Sequence, residues 1–245
     1  MIKFHKSYNK LFLKYVRRAI DDYNMIEPTD KIAVALSGGK DSIFLLYCLQ
    51  LIKLTAFKNI SIVGINIDLG LGMNLDPLIN FCKENEIELI IEKTNIGDVI
   101  FNDRKEKNPC SLCSKLRKGA LVRVAKSIGA TKIALGHNCD DVIETLFMNV
   151  LKIGKMGTFH PHVTYKDKYV HIIRPLVYLR EDLIKSLVEQ YNLPVIQSNC
   201  PEDKKTTREE MKNLIIKLEN LYPESIDRIL TSLSNVDMLN LWKQK

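Results

Sequence analysis

Short apolar runs alternate along the chain with longer segments in which apolar residues recur at helical spacing. A run of about four to eight aliphatic residues is typical of a buried strand, and apolar residues three and four positions apart are typical of a helix. Strands that alternate with helices in this way predict an α/β fold built on a doubly wound parallel sheet. The predicted strands are residues 31–36, 60–67, 87–93, 131–135 and 169–173, and the helices among them are residues 43–54, 76–85, 114–128, 142–151 and 181–191.

Further helices are predicted at both ends of this alternating region. The N-terminal helix covers residues 8–23, and no acid precedes Asp21. A solvated helix face and a contact with a phosphate backbone both explain its charge. Residues 207–242 predict two helices with a break at Pro223, which pack on the core or on a second subunit of a homodimer. The cations of the N-terminal helix are Lys10, Lys14, Arg17 and Arg18.

The expected domain organisation has three parts: a basic helix in residues 1–28, an α/β domain in residues 29–200 and a helical extension in residues 201–245. A chain of 245 residues with 46% hydrophobic content has ample material for a core. No apolar run is long enough for a membrane span and no secretion signal is visible, so a cytoplasmic protein without a membrane partner is expected. The net charge of +7 favours a polyanionic partner.

Residues 37–42, with the sequence S-G-G-K-D-S, join the first predicted strand to the next helix. Glycines without Cβ atoms let backbone N–H groups approach an anion closely, and the helix N-terminus adds partial positive charge. The spacing differs from that of Walker nucleotidases and dinucleotide-binding folds. A tight turn with a solvated Lys40 and Asp41 is the alternative interpretation. The loop resembles the PP-loop of the ATP pyrophosphatases, which adenylate a substrate oxygen and release pyrophosphate, and this implies ATP binding by Ser37, Gly38, Gly39, Lys40, Asp41 and Ser42.

Polar residues also follow two other predicted strands. Asp68 ends the second strand, where it either meets the ribose or adenine of a nucleotide or serves as a turn residue. The fourth strand leads into G-H-N-C-D-D, whose carboxylates at Asp140 and Asp141 either hold Mg²⁺ or cap the following helix. G-H-N-x-D-D-x-x-E-T resembles the second signature of PP-loop enzymes that act on tRNA, in which an R-P-L segment lies close to the active site. This resemblance implies roles for Gly136, His137, Asp141 and Arg174, with a structural salt bridge as the alternative for Arg174.

Six cysteines in a chain without a secretion signal indicate a metal site or catalysis before disulfides. Cys48 and Cys82 lie in apolar helical patterns and are expected in the core. Cys110 and Cys113 are three positions apart at a helix start, where the helix end and neighbouring cations favour thiolates. Three cysteines, with Cys200 as the third, suit a 4Fe-4S cluster with one open iron better than a structural zinc site.

Two alternatives for these thiols stay open. Zinc would need a fourth ligand from His160, His162 or Cys139, although both histidines are expected in a surface loop. The other alternative is a redox dithiol at the C-x-x-C pair. Cations concentrated around the thiols fit a nucleic acid better than a small substrate, with a solvated charge run as the plain alternative. They are Arg104, Lys105, Lys107, Lys115, Arg117, Lys118, Lys204, Lys205 and Arg208.

Four motifs in order resemble the tRNA 2-thiocytidine biosynthesis proteins across residues 10–235. They are S-G-G-K-D-S, P-C-S-L-C-S-K-L-R-K-G, G-H-N-C-D-D-V-I-E-T-L-F-M-N and I-R-P-L-V-Y-L-R-E-D-L. The resemblance implies an iron-sulfur-dependent tRNA thiolase that uses ATP, Mg²⁺ and a sulfur donor, with cluster ligands at Cys110, Cys113 and Cys200. The chain departs from the family where a second C-x-x-C is common near Cys200, which leaves the target nucleotide open.

The resemblance implies that a tRNA pyrimidine carbonyl is adenylated and that its oxygen is then replaced by sulfur through the cluster. Lys40 and Arg174 would offset phosphate charge. Asp41 and Asp141 would bind Mg²⁺ or guide protons. Persulfide chemistry on Cys110 or Cys200 is an alternative route. An amide-forming ligase of the tRNA lysidine synthase type and a non-catalytic nucleotide-binding or redox module are the competing classes of function.

Overall fold

The computed structural model of the protein describes residues 2–103, 109–165, 169–202 and 207–237. These residues form a six-stranded sheet in which neighbouring strands are parallel except at one edge. The predicted α/β fold with a parallel-dominated sheet is confirmed. In spatial order the strands are β3 (Glu88–Lys93), β2 (Ser61–Asp68), β1 (Lys31–Ala35), β4 (Lys132–Ala134), β6 (His171–Ile173) and β5 (His162–Thr164).

Helices precede, connect and follow these strands. Three segments of π-helical backbone, Asn9–Leu13, Val99–Asp103 and Asn149–Ile153, adjoin α-helices. The predicted break at Pro223 lies between the last two helices of the described chain. The α-helices are α1 (Lys14–Asp22), α2 (Lys40–Thr55), α3 (Asp76–Glu84), α4 (Ile96–Asp98), α5 (Pro109–Ser127), α6 (Cys139–Met148), α7 (Glu181–Gln190), α8 (Thr207–Leu221) and α9 (Ser225–Ser232).

The centre of the sheet carries the core. The three middle residues of β1 have 0% exposed surface, as expected for a strand with paired neighbours on both sides. The helix that follows, α2, is buried continuously over residues 42–49, so its sequence is apolar on nearly every side. β1 and β2 pair in parallel with Ala35 opposite Ile65. The chain therefore leaves both strands at the same, carboxyl edge of the sheet, where ligands of such folds bind.

Two elements differ from those the sequence predicts. β5 pairs antiparallel with β6 and includes His162, which the sequence places in a surface loop. A three-residue strand is too short for its alternating pattern to be recognised. α5 begins at Pro109 rather than at residue 114, and proline is favoured at a first helical position because its missing N–H would have no partner there. Both cysteines of the C-x-x-C motif therefore lie within α5.

The chain divides into two compact units: residues 1–138 with 160–203, and residues 139–159 with 204–245. The first unit contains the whole sheet. In the second unit, α6 packs against α8 and α9 around Cys139, Ile143, Ile215 and Ile226. The three-part domain organisation expected from the sequence stays a prediction. No helix in the described ranges has the length and apolar character needed to cross a membrane.

Candidate functional site

The loop of residues 37–42, which we call the phosphate loop, folds tightly around its own two serines. Ser37 N donates to Ser42 Oγ at 3.2 Å, and Ser42 Oγ donates to Gly39 O at 2.8 Å. Gly38 has a φ of +86°, in the region that favours glycine. Gly39 is the N-cap of α2, so the first N–H groups of a 16-residue helix begin at this loop. Such a helix start is suited to binding phosphate.

Lys40 lies between two carboxylates. Its Nζ donates to Asp41 Oδ2 at 2.9 Å and to Glu181 Oε1 at 2.7 Å. Burial acts to lower the pKa of Lys40, but the charges and hydrogen bonds of Asp41 and Glu181 outweigh burial and raise the pKa above its ordinary value of 10.5. Lys40 is thus held as a cation at the start of α2. A role for Glu181, which is 141 positions away from Lys40, is not predicted from the sequence.

Glu181→Gln is expected to lower the pKa of Lys40 and to lower the free energy of unfolding by about 1 kcal/mol near neutral pH, because one of two charge-assisted hydrogen bonds is weakened. A raised pKa in the folded state means that the ion pair stabilises the fold below pH 10.5 and that this contribution is lost as the pH rises further. Urea unfolding measured from neutral pH to about pH 11 tests both statements. The difference between the two proteins should shrink at the alkaline end.

The matched control for this substitution is Glu189→Gln, an exposed carboxylate on the same helix. It should change stability by less than about 0.5 kcal/mol at every pH. A pH-independent loss in Glu181→Gln would contradict the role of Glu181 in holding Lys40 charged.

The segment after β4 packs directly on the phosphate loop. A Cβ added at Gly136 would lie 2.9 Å from the backbone carbon of Asp41, so the absence of a side chain is what allows this approach. Two residues on, Asn138 Nδ2 donates to Asp41 Oδ1 at 3.0 Å. Asn138 is 3% exposed, and its role is not predicted from the sequence. Both carboxylate oxygens of Asp41 are thereby bonded, one to an amide and one to Lys40.

Arg174, directly after β6, is a buried cation that orients His137 in the segment after β4. Its Nε donates to His137 Nδ1 at 3.0 Å, and its Nη1 donates to His160 O at 2.6 Å. Burial lowers the pKa of Arg174 to about 10, which leaves it charged at neutral pH. Because a guanidinium only donates hydrogen bonds, Nδ1 of His137 is the acceptor nitrogen, and the proton of the neutral ring is on Nε2.

β2 pairs with β1, so the end of β2 lies beside the phosphate loop that follows β1. Asp68 Oδ1 accepts from Gly70 N at 2.9 Å, so Asp68 is a turn residue, and its contact with a ribose stays a prediction. Asn66, two residues earlier, is 2% exposed and donates to Leu36 O at 2.7 Å. Its Oδ1 is buried without a hydrogen-bond partner among the described residues. An unsatisfied buried acceptor is costly, which makes Asn66 a second candidate, beside Asp68, for contact with a ligand at this edge.

The segment that carries Cys200 is tied to the phosphate loop. Ile196 N donates to Gly38 O at 2.8 Å. Asn199 Nδ2 donates to Leu71 O at 3.3 Å and to Gly72 O at 3.0 Å, in the turn after β2. None of these bonds uses the thiol of Cys200. The third predicted cysteine is thus brought to the edge of the sheet that carries the phosphate loop.

The three predicted thiols interact electrostatically. Burial raises the pKa of Cys110, and the charges of Cys200 and Glu202 raise it further. Burial likewise raises the pKa of Cys113, where Cys200 and Cys110 also raise it and Arg117 lowers it. The expected effect of a nearby cation is therefore present at Cys113, where Arg117 lowers the pKa, but burial and the neighbouring thiols outweigh it. A bound cation would reverse this balance by pairing with the thiolates.

Cys110, Cys113 and Cys200 supply thiols, the ligands that iron-sulfur centres use, and the charge of Cys200 raises the pKa of both Cys110 and Cys113. Within the described residues, no group of three or more His, Cys, Asp and Glu side chains is arranged to hold a metal ion. The ligand set stays a prediction. Cys48 and Cys82 are buried, as expected for core residues, and Cys139 is buried in the second unit.

The remaining predicted residues are in the second unit, on the surface of the first unit or outside the described residues. In the second unit, Asp141 Oδ1 accepts from Arg208 Nη1 at 2.6 Å, and both Asp140 and Asp141 lie in the first turn of α6. Their roles in Mg²⁺ binding stay predictions. His160 is exposed as predicted. The flanking cations Arg104, Lys105, Lys107, Lys204 and Lys205 fall outside the described residues.

A family model described as a PP-loop domain matches residues 5–219. The chain belongs to the PP-loop family. A tRNA-cytidine(32) 2-sulfurtransferase of Paraburkholderia phytofirmans is 38% identical over 243 residues, covering 97% of this chain and 72% of the relative. One of Actinobacillus pleuropneumoniae is 36% identical over 245 residues, covering 98% and 77%.

Among solved structures, this PP-loop chain is similar to the U34-tRNA thiolase NcsA from Methanococcus maripaludis with its 4Fe-4S cluster. The TM-score is 0.74 and the identity is 28%, covering 91% of this chain and 77% of that one. The resemblance drawn from the four motifs is confirmed at the level of the family. The residues matched by the family model include the phosphate loop.

Proposed function

We propose that the chain is an ATP-dependent tRNA sulfurtransferase that replaces the carbonyl oxygen of a tRNA pyrimidine with sulfur. The carrying observation is the hydrogen bond from Ile196 N to Gly38 O, which ties the segment of Cys200 to the phosphate loop. A phosphate-binding helix start and a set of thiols at one edge suit a reaction that joins adenylation to sulfur transfer. The relatives named for cytidine 32 support cytidine 32 as the nucleotide.

The chain's own groups suit the adenylation step. The carbonyl oxygen attacks the α-phosphorus of ATP, the bond to pyrophosphate breaks, and pyrophosphate leaves with the electron pair. The N–H groups at the start of α2, together with the cations Lys40 and Arg174, would stabilise the charge on the phosphates. His137 would donate from Nε2. Mg²⁺ would be held by Asp41 or Glu181 together with the phosphates, because Mg²⁺ prefers carboxylate and phosphate oxygens.

The second step replaces AMP by sulfur. A sulfur nucleophile attacks the ring carbon, and the carbon–oxygen bond to AMP breaks, so that the net change is oxygen for sulfur. Cys110, Cys113 and Cys200 would hold a 4Fe-4S cluster, which when bound supplies sulfur-transfer chemistry at an iron without a protein ligand. The sulfur donor, the homodimer and the cytoplasmic location stay predictions.

The test combines metal content with product analysis. Protein purified without oxygen should contain about four iron and about four acid-labile sulfide per chain. With ATP, Mg²⁺, sulfide and unmodified tRNA it should form 2-thiocytidine, detected by mass spectrometry of the nucleosides, and should release pyrophosphate only when tRNA is present. A matched reaction without sulfide should give no thiolated product.

Each other outcome identifies a different error. Stoichiometric zinc, or no metal after anaerobic reconstitution, would overturn the iron-sulfur centre. Pyrophosphate release with tRNA but without sulfur incorporation would favour an amide-forming ligase. ATP binding without pyrophosphate release would reduce the protein to a nucleotide-binding module.

A further inference from the structure

A row of exposed cations runs along the N-terminal helix, and we call it the cationic row. Its members recur every four residues, which is close to one turn both of the π-helical segment Asn9–Leu13 and of α1, and the first member lies in the turn just before that segment. The first and last members are twelve positions apart, or roughly 18 Å at about 1.5 Å per residue. No acidic residue occurs before position 21. The members are Lys6, Lys10, Lys14 and Arg18, and all are exposed.

The opposite face of this helix is fixed in the core. Phe12, Leu13 and Val16 have 0% exposed surface. The Tyr8 ring packs against the rings of Phe12, Tyr47 and Tyr191 at centroid distances of 5.4, 6.4 and 5.3 Å. The row is therefore carried on a rigid support, and its charges need little ordering when a partner binds.

Arg17 is a structural residue and does not belong to the row. It donates to Asn9 Oδ1 and to Thr55 Oγ1, both at 2.8 Å, and so connects this helix to the end of α2. The row itself has little internal compensation, since Arg18 makes a 3.3 Å pair with the exposed Asp22, which contributes little in water. Like charges one turn apart disfavour the helix slightly. A polyanion would remove that repulsion.

The end of the helix adjoins the candidate site. Tyr23, directly after α1, has ring contacts with His160 at 6.4 Å and with Tyr178 at 6.1 Å. The carbonyl of His160 accepts from Arg174, which in turn donates to His137. Arg18 lies over the Tyr178 ring at 5.0 Å. A strand of phosphates lying on the row would thus end near the buried guanidinium.

We propose that the cationic row binds the sugar-phosphate backbone of the RNA substrate and guides it towards the phosphate loop. The proposal rests on the proposed function, in which a tRNA base is brought to that loop. Phosphates follow one another every few Å along a nucleic-acid strand, at about 3.4 Å of axis in a DNA duplex, so roughly 18 Å spans several phosphates and exceeds any mononucleotide. An anionic membrane fits less well, because the apolar face that would enter the bilayer is already buried in the protein.

The test is the salt dependence of tRNA binding by the full chain. Lys6→Gln/Lys10→Gln/Lys14→Gln should weaken binding of unmodified tRNA about tenfold or more at low salt. It should also reduce the slope of log K against log salt by about two to three, since each phosphate contact contributes about 0.7 to 0.9. Fluorescence anisotropy over a series of salt concentrations measures both quantities.

The matched control is Lys58→Gln/Lys83→Gln/Lys217→Gln, three exposed lysines elsewhere. Both triple variants have a net charge of 7 − 3 = +4, so a nonspecific effect of charge would be the same in each. Equal affinity and slope in the two variants would overturn the proposal. Measurements of ATP binding and thermal melting check that both variants are folded.

Two further outcomes separate this proposal from its alternatives. If the row variant binds and thiolates tRNA like the wild type, the proposed RNA-binding role of the cationic row is wrong while the proposed function stands. If the wild type forms no thiolated tRNA but the row variant alone loses RNA binding, the proposed function fails and the RNA-binding role of the row stands. If the row variant loses binding to vesicles containing phosphatidylserine while its tRNA binding is unchanged, the row binds a membrane surface and the proposal is overturned.

Discussion

Cys200→Ala is expected to abolish 2-thiocytidine formation while leaving ATP binding unchanged. The substitution removes one of three thiols proposed to act together, and two thiols cannot replace three ligands of one centre. The bonds that tie this segment to the phosphate loop come from Ile196 N and Asn199 Nδ2, so the nucleotide site should keep its shape. Mass spectrometry of tRNA nucleosides and calorimetric ATP titration measure the two effects separately.

Cys82→Ala is the control for loss of any thiol. Cys82 is 1% exposed within α3, and its truncation should lower the free energy of unfolding by about 1 kcal/mol without affecting thiolation below the melting temperature. Full thiolation by Cys200→Ala would exclude Cys200 both as a cluster ligand and as a sulfur carrier. Loss of ATP binding in the same variant would show that the thiol supports the loop itself.

The features that can be predicted from the sequence are those that depend on residues close together in the chain. β1, the phosphate loop and α2 follow one another directly, and each has a local signal: an apolar run, glycines at a turn, and apolar residues at helical spacing. The start of α5 at Pro109 also has a local signal, because proline is favoured at a first helical position. That rule would have placed both cysteines of the C-x-x-C motif inside the helix.

Contacts across the chain have no such signal. Glu181 bonds Lys40 over 141 positions, and Asn138 bonds Asp41 over 97. Only the packing of α7 and of the segment after β4 brings these groups to the phosphate loop. The pKa values of the thiols follow the same rule, since the sequence shows the cations near Cys110 but not the burial and the neighbouring Cys200 that raise its pKa. Charge near a residue in sequence is therefore a weak guide to its protonation.

Gly136→Ala is expected to weaken ATP binding at least about tenfold and to lower the free energy of unfolding by about 1 to 3 kcal/mol. The new Cβ would lie 2.9 Å from Asp41 C and 3.0 Å from both Asp41 O and Ser42 N. These are backbone atoms at the start of α2, so no side chain can move aside. The N–H groups that bind phosphate would have to shift instead. Titration with ATP and urea unfolding measure the two losses.

Gly119→Ala makes the same chemical change where there is room for it. Among the described residues, no atom outside the helix's own backbone lies within 4 Å of a Cβ at Gly119, which is in the interior of α5. This variant should therefore gain up to about 1 kcal/mol of stability from helix propensity and bind ATP normally. If Gly136→Ala were as stable as the wild type and bound ATP as tightly, the close approach of the two segments would not be needed at the site. A loss of ATP affinity in Gly136→Ala, with Gly119→Ala unaffected, would locate the effect at the contact between Gly136 and the backbone of Asp41. The same contact lets Asn138 reach the Asp41 carboxylate.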